Sequence, residues 1–357
     1  MRTIVFYISD HGFGHVSRNI PIIRYILEGY SDIKIVVKTG EAQGLFIKNV
    51  LKEYKSRLTI YFEKTDVGLL LKSNSLEIDK EPLEKELIKY INTWDNRSIR
   101  ENDFLKEKSV NLVVSDIVPW IFKSTHKLNI PSVLISNFTW FDIYKEYFND
   151  NICDEYINVY KLAKKSLLYF LYNSDMKNYL NDIEEVGLCC REFDSKKIKK
   201  IKEQYKRKIV FISVGRSVDL KDTINVEDLN YDFIVTEGIN IVGSNVTYLS
   251  KETINTQDYI KASDYIITKA GWGTISEILC ANKKCAVLSR NSIAEDRNTV
   301  EKLISMNLAV EIDYKKGFDI ENILKQLDEL NVQNNNYEFK NQYKDIGNKI
   351  ISFMEEG

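Results

Sequence analysis

The sequence predicts an α/β fold made of two doubly wound parallel sheets, one in each half of the chain. Three observations carry that expectation. Short apolar runs rich in β-branched and aromatic residues alternate with stretches whose apolar positions recur at helical spacing, the pattern of parallel strands joined by crossover helices. The alternation stops in a charged stretch at about 182–206 and then restarts. A length of 357 residues with 44% hydrophobic and 11% aromatic content suits two packed cores and excludes a disordered chain.

In chain order, Thr3–Ser9 (TIVFYIS) is a continuous apolar run and reads as a buried strand. Ile20, Ile23, Ile26 and Leu27 then recur at helical spacing. Further strands are expected at Ile33–Val37, Leu58–Phe62, Val110–Ser115 and Ser132–Ser136, with helices at Ala42–Tyr54 and Pro119–Leu128. Leu167–Tyr172 reads either as a strand or as the end of a helix begun near Asp154. After the charged stretch, strands are expected at Ile209–Val214, Phe233–Thr236, Val246–Leu249, Tyr265–Thr268 and Cys285–Leu288. Helices are expected at Thr274–Cys280, Val300–Met306 and about Phe339–Met354, the last after a loop at Gln333–Asn336. The expected organisation is a first domain over 1–182, a linker over 183–206, a second domain over 207–335, and a terminal helix in 336–357 that packs back on the first domain.

The 50 Lys+Arg and 52 Asp+Glu leave a formal net charge of −2, which argues against nucleic acid as the main partner. The apolar run after Arg2 ends at Asp10, too short for a signal peptide or a membrane span. Five cysteines without CxxC spacing suit a reduced compartment, and a cytoplasmic location is expected. The basic stretch Lys196–Lys208 (KKIKKIKEQYKRK) reads as a solvated helix or linker face, with transient contact with an anionic membrane surface as the alternative.

The first chemical motif is Asp10–Arg18 (DHGFGHVSR), the turn from the first strand into the first helix. In open parallel sheets such turns face the ligand crevice. Gly12 and Gly14 allow close backbone approach, and a helix start offers free N–H groups. Ser17 occupies the third glycine position, so this is not the dinucleotide fingerprint. Two of the three histidines, His11 and His15, lie here, and an imidazole can take a proton from a hydroxyl if a partner fixes its tautomer. His126, on a predicted helix, reads as structural. Asp116, at the end of a neighbouring strand, is a candidate partner; its competing role is a helix N-cap ahead of Pro119. No serine or cysteine stands out as a nucleophile, and no cluster has metal-ligand spacing.

The second motif is Thr268–Glu277 (TKAGWGTISE), again a strand running through glycines into a helix. Gly271 and Gly273 at the helix start, Thr274 and Ser276 as hydroxyl donors and Lys269 as a cation suit a diphosphate. Glu277, one turn in, is placed to accept from a ribose diol. The competing reading is a capped helix packed tightly on its strand. Arg290 and the cluster Glu295–Asn298 follow the next predicted strand.

Together these segments resemble the GT-B glycosyltransferases. ITKAGWGTISEIL with EDRN is similar to the donor signature of UDP-sugar transferases. YISDHGFGHVSRN, SDIVPW and SNFTWFDIYKEY resemble the glycosyltransferase-like module of arabinokinases and its stand-alone bacterial relatives. The resemblance implies two Rossmann-like domains facing a central cleft, the first for the acceptor and the second for the nucleotide-sugar. It implies His15 as base, Asp116 as its orienting carboxylate, and Gly271, Gly273 and Thr274 as the diphosphate cradle beside Lys269. Glu277 would bind the ribose and Glu295 or Asp296 the sugar hydroxyls. Arg216 would add a phosphate contact, because the usual glycine-rich loop is shortened at Gly215–Asn230. His11, Gly14, Arg18, Asn137, Trp140 and Asp142 would line the acceptor side, with aromatic core as the competing role of Trp140. The implied activity is inverting, metal-independent transfer from a nucleotide-sugar, expected to be UDP-linked, to an acceptor hydroxyl, without a further cofactor. The alternatives are a nucleotide-sugar hydrolase on the same loops and a non-catalytic sugar-nucleotide-binding module.

Overall fold

The computed structural model describes residues 1–72, 78–148, 150–214, 220–290, 293–313, 318–330 and 337–356. The chain divides into two compact units, Met1–Lys72 with Glu77–Cys189 and Asn341–Gly357 in one, Cys190–Lys340 in the other.

The first unit begins with β1 (Arg2–Ile8), α1 (Gly14–Gly29), β2 (Ile33–Thr39), α2 (Glu41–Val50), β3 (Leu58–Phe62), α3 (Lys80–Ile91) and α4 (Trp94–Glu107). It continues through β4 (Leu112–Asp116), α5 (Ile121–Leu128), β5 (Ser132–Ser136), α6 (Trp140–Tyr144), α7 (Asp150–Tyr160), β6 (Lys165–Tyr169) and β7 (Ile183–Val186). The seven strands form one sheet of order β3-β2-β1-β4-β5-β6-β7, with parallel pairing throughout. Ile4 to Ile8 of β1 are fully buried, as a strand covered on both faces must be. Strand order reverses between β1 and β4, whose register pairs Ile8 with Asp116. Their carboxyl ends therefore form the switch point at which ligands of such sheets bind.

The second unit contains α8 (Ser195–Glu203), β8 (Ile209–Ser213), β9 (Leu220–Asn225), β10 (Asp232–Val235), β11 (Ile239–Val242), β12 (Val246–Tyr248) and α9 (Thr256–Ala262). It continues with β13 (Tyr265–Lys269), α10 (Trp272–Cys280), β14 (Lys284–Leu288), α11 (Ala294–Ser305), β15 (Ala309–Ile312) and α12 (Ile320–Glu329). Its parallel sheet has the order β12-β10-β8-β13-β14-β15, and β11 pairs with β9 in a separate ribbon. Order reverses between β8 and β13, which places the loop after β13 at this unit's switch point. Val210, Ile212, Phe233, Ile267, Leu324 and Leu327 belong to its buried core.

The last helix, α13 (Tyr343–Glu356), belongs to the first unit. It meets α1 through Tyr25, whose hydroxyl donates to Asn348 Oδ1 at 2.7 Å, and Lys349 pairs with Glu184 of β7. The stretch 183–206 differs from its reading as a linker, because it holds β7 and α8. Glu184 and Glu185 of β7 are bound by Lys349 and Lys177, so this edge strand carries charge that resembles a linker in sequence. Leu167–Tyr172 resolves as the strand β6, which starts two residues earlier, at Lys165, and α7 ends before it, at Tyr160.

Candidate functional site

In the first unit the turn after β1 hands the chain to α1 through Gly12, whose φ of +81° is the left-handed conformation that glycine adopts without strain. This turn brings His15, Arg18 and Asn19 to the end of β4. The Asp116 carboxylate there receives His15 Nδ1 at 2.8 Å, Arg18 Nε at 2.7 Å and Asn19 Nδ2 at 2.6 Å, and Arg18 Nη2 donates as well. Burial pushes the Asp116 carboxyl up, but the charges and hydrogen bonds of Arg18 and His15 outweigh it and hold its pKa at about 2. Arg18 Nη2 also lies 2.9 Å from His15 Nδ1, so this ring nitrogen faces both a donor and the ionised carboxylate.

Asp116 does not cap the next helix, since Trp120 takes the N-cap position of α5. Instead Ile117 adopts φ +60°, a strained conformation for a β-branched residue, and its carbonyl is held by the Tyr160 hydroxyl at 2.6 Å. The strand end is thus bent where the Asp116 carboxylate sits.

Arg18 is only 2% exposed, and its guanidinium also donates to Asn137 Oδ1 at 2.6 Å and Ser136 Oγ at 3.2 Å while lying over the Tyr169 ring. Arg18 and Asn137 are therefore committed to one internal network, which leaves them little surface for an acceptor. Trp140 is buried, stacked on Tyr144, and donates Nε1 to Asp66 at 2.8 Å. Its ring lies 5.5 Å from that of His11, which is exposed. A Cβ on Gly68 would meet the His11 ring at 1.8 Å, so a glycine at 68 is what lets this imidazole lie down. Asp142 forms the α6 capping box with Thr139 and receives the Tyr179 hydroxyl at 2.9 Å. Burial pushes its carboxyl up to about 6 despite those donors. Gly14 opens α1, and a Cβ there would meet nothing within 4 Å.

In the second unit Gly271 is the N-cap of α10, with Gly273 and Thr274 in its first turn. Gly271 has φ −66°, and a Cβ there would meet only Lys269 Cε at 3.6 Å. Neither backbone strain nor crowding requires glycine at 271; the missing side chain leaves the helix start open to approach. Lys269, at the end of β13, has its pKa lowered by burial first and by the Arg290 charge, against the pull of Asp296 and Glu295.

Glu277 is 4% exposed and accepts from Arg191 Nε at 2.8 Å; the same guanidinium reaches the Ile254 carbonyl and Thr256 Oγ1. Asp296 is buried and bound by Arg290 through two N–H groups, one at 2.9 Å. Glu295, half-buried in the first turn of α11, is the more accessible of the two acids. Arg216 lies outside the described residues.

Sequence reasoning missed Asn19, Ser136, Tyr169 and Arg191. Asn19 was within reach of it, one position beyond the motif. Arg191 stands 86 positions from Glu277 with no local signal.

Comparison with known proteins fits this architecture. Residues 191–355 match the glycosyltransferase family 28 C-terminal domain. The chain is 26% identical over 329 residues to L-arabinokinase of Arabidopsis thaliana, across 83% of this chain, and it spans 29% of that protein's length. Arabidopsis thaliana UGT89C1 complexed with UDP-L-rhamnose is similar with a TM-score of 0.62 at 11% identity, covering 99% of this chain and 97% of that one. Phytolacca americana UGT2 complexed with UDP-2fluoro-glucose and pterostilbene is similar with a TM-score of 0.60 at 13% identity, covering 100% and 94%. The chain thus shares the GT-B fold of these solved structures.

Proposed function

We propose that this chain is an inverting, metal-independent glycosyltransferase that moves a sugar from a nucleotide-sugar, UDP-linked, to an acceptor hydroxyl. The observation that carries the reading is the His15–Asp116 pair at the first unit's switch point, Nδ1 lying 2.8 Å from the carboxylate. His15 Nε2 takes the proton of the acceptor hydroxyl as its oxygen bonds to the anomeric carbon, and the bond from that carbon to the diphosphate breaks with its electrons. Asp116 steadies the imidazolium. Lys269 and the open start of α10 receive the leaving diphosphate, supplying the positive field a divalent cation would otherwise give. Glu277, oriented by Arg191, accepts from the ribose, and Glu295 from the sugar. Solved relatives complexed with UDP-sugars support the donor class. His11 over Trp140 is the acceptor-facing group of the first unit.

A binding-only module is the second reading, and Arg18 favours it. Its guanidinium bonds the same carboxylate and opposes a second positive charge on His15.

Calorimetric titration with UDP and UDP-sugars, with turnover assays in EDTA, separates the readings. We expect UDP binding in wild type and His15→Ala alike, with turnover lost only in the variant. Binding with no sugar consumption by wild type would leave the second reading. Release of free sugar at the same rate without acceptor would mean hydrolysis.

A further inference from the structure

We propose that the second unit carries a phosphate-binding groove between α8, α9 and the segment after α10, distinct from the diphosphate loop at the start of α10. A groove of about 630 Å³ is lined there by Lys199 and Lys202 of α8, Lys261 of α9, and Ala281 and Lys283, over Ile198. Four lysines thus line one space with a single lining carboxylate, Glu203.

Among the described residues only Lys199 of these four has a carboxylate within ion-pair distance. Lys199 pairs with Glu203 at 3.9 Å, and Lys261 Nζ donates to the Ala281 carbonyl at 2.9 Å, a cation on the last turn of α10. Among the described residues no carboxylate stands within ion-pair distance of Lys202 or Lys283. Lys283 is half-buried and has its pKa lowered by burial first, then by Lys202 and Lys261, with Asp264 opposing. Holding like charges together around a half-buried ammonium is unfavourable unless an anion joins them. The surrounding surface has the same sign: residues 196–208 carry eight Lys or Arg and one Glu.

The chemistry that answers this arrangement is a phosphate or diphosphate group, on a soluble molecule or on a lipid headgroup. Ile201 of α8 is buried against the unit and Ile198 is half-buried, so α8 offers no bulky apolar face for insertion. Contact with a bilayer would be electrostatic and salt-sensitive. The groove and the diphosphate loop lie at opposite ends of α10, whose nine residues span roughly 13 Å at ~1.5 Å per residue.

The test uses the full chain, metal-free, with inorganic pyrophosphate followed by calorimetry and, separately, flotation with phosphatidylcholine vesicles or equimolar phosphatidylcholine–phosphatidylglycerol vesicles. Lys202→Ala with Lys283→Met alters the groove and keeps the buried stem; Lys269→Ala alters the diphosphate loop. We expect a pyrophosphate site that survives Lys269→Ala and weakens at least about tenfold in the double variant. Binding to the phosphatidylglycerol-containing vesicles that is lost in the double variant, without a pyrophosphate site, would assign the groove to a headgroup. Pyrophosphate binding that disappears only with Lys269→Ala, or no binding in either arm, overturns the groove.

Discussion

The Asp116 carboxylate is where single residues decide most. It is buried, its folded pKa lies at about 2, and an unfolded aspartate titrates near ~3.9. A depressed folded pKa gives stability that is complete above the unfolded value and is lost as the pH falls toward 2. The full difference corresponds to about 2.5 kcal/mol. About 1 kcal/mol of this is lost between pH 6 and pH 3, so urea unfolding at the two pH values should show wild type losing about 1 kcal/mol more than Asp116→Asn; equal losses would contradict the network. Arg191 offers a second test. Arg191→Met leaves the buried Glu277 carboxylate unpaired at a cost of about 3 kcal/mol. UDP affinity should fall in Arg191→Met and in Glu277→Gln, and the double variant should lose less than the sum. Additive losses in calorimetry would separate the two residues.

At the scale of elements, α13 shows how a distant segment completes the first unit. A Cβ on Gly347 would come within 2.5 Å of Tyr25 Cδ1 in α1, so glycine here permits the close approach of the two helices. Gly347→Leu should overpack this contact and destabilise the chain by about 1–3 kcal/mol, with earlier proteolysis after Asn341. An unchanged denaturation midpoint would show that α13 yields easily. Legibility in sequence also varied by element. The central strands β1, β4, β8 and β13 read clearly because burial on both faces demands continuous apolar runs. The helices α3 and α4 were not read, since each buries only a narrow stripe such as Leu83, Leu87 and Tyr90 within a charged surface. The ribbon β9–β11 was missed for a similar reason: in β11, buried and exposed residues alternate over four positions.

For the whole molecule, each unit has its own sheet and its own buried core, which is the requirement for folding alone. Residues 190–340 expressed separately should unfold cooperatively and bind UDP within about tenfold of the full chain, without turnover. A molten fragment would show that the second unit depends on the rest. Among the described residues no helix is long and apolar enough to cross a membrane.

The sequence by itself determined the parallel α/β class, the glycine turns at two strand ends, and the meeting of His15 with Asp116. Strand periodicity places both residues at carboxyl ends, and a doubly wound sheet brings such ends together at its switch point. Only the tertiary structure decided what each polar side chain is committed to. Arg18 binds Asp116 and Asn137, Arg191 binds Glu277, Arg290 binds Asp296, and Asp142 caps α6. A buried charge takes whichever partner the packing brings within reach, across separations that leave no local trace in the chain.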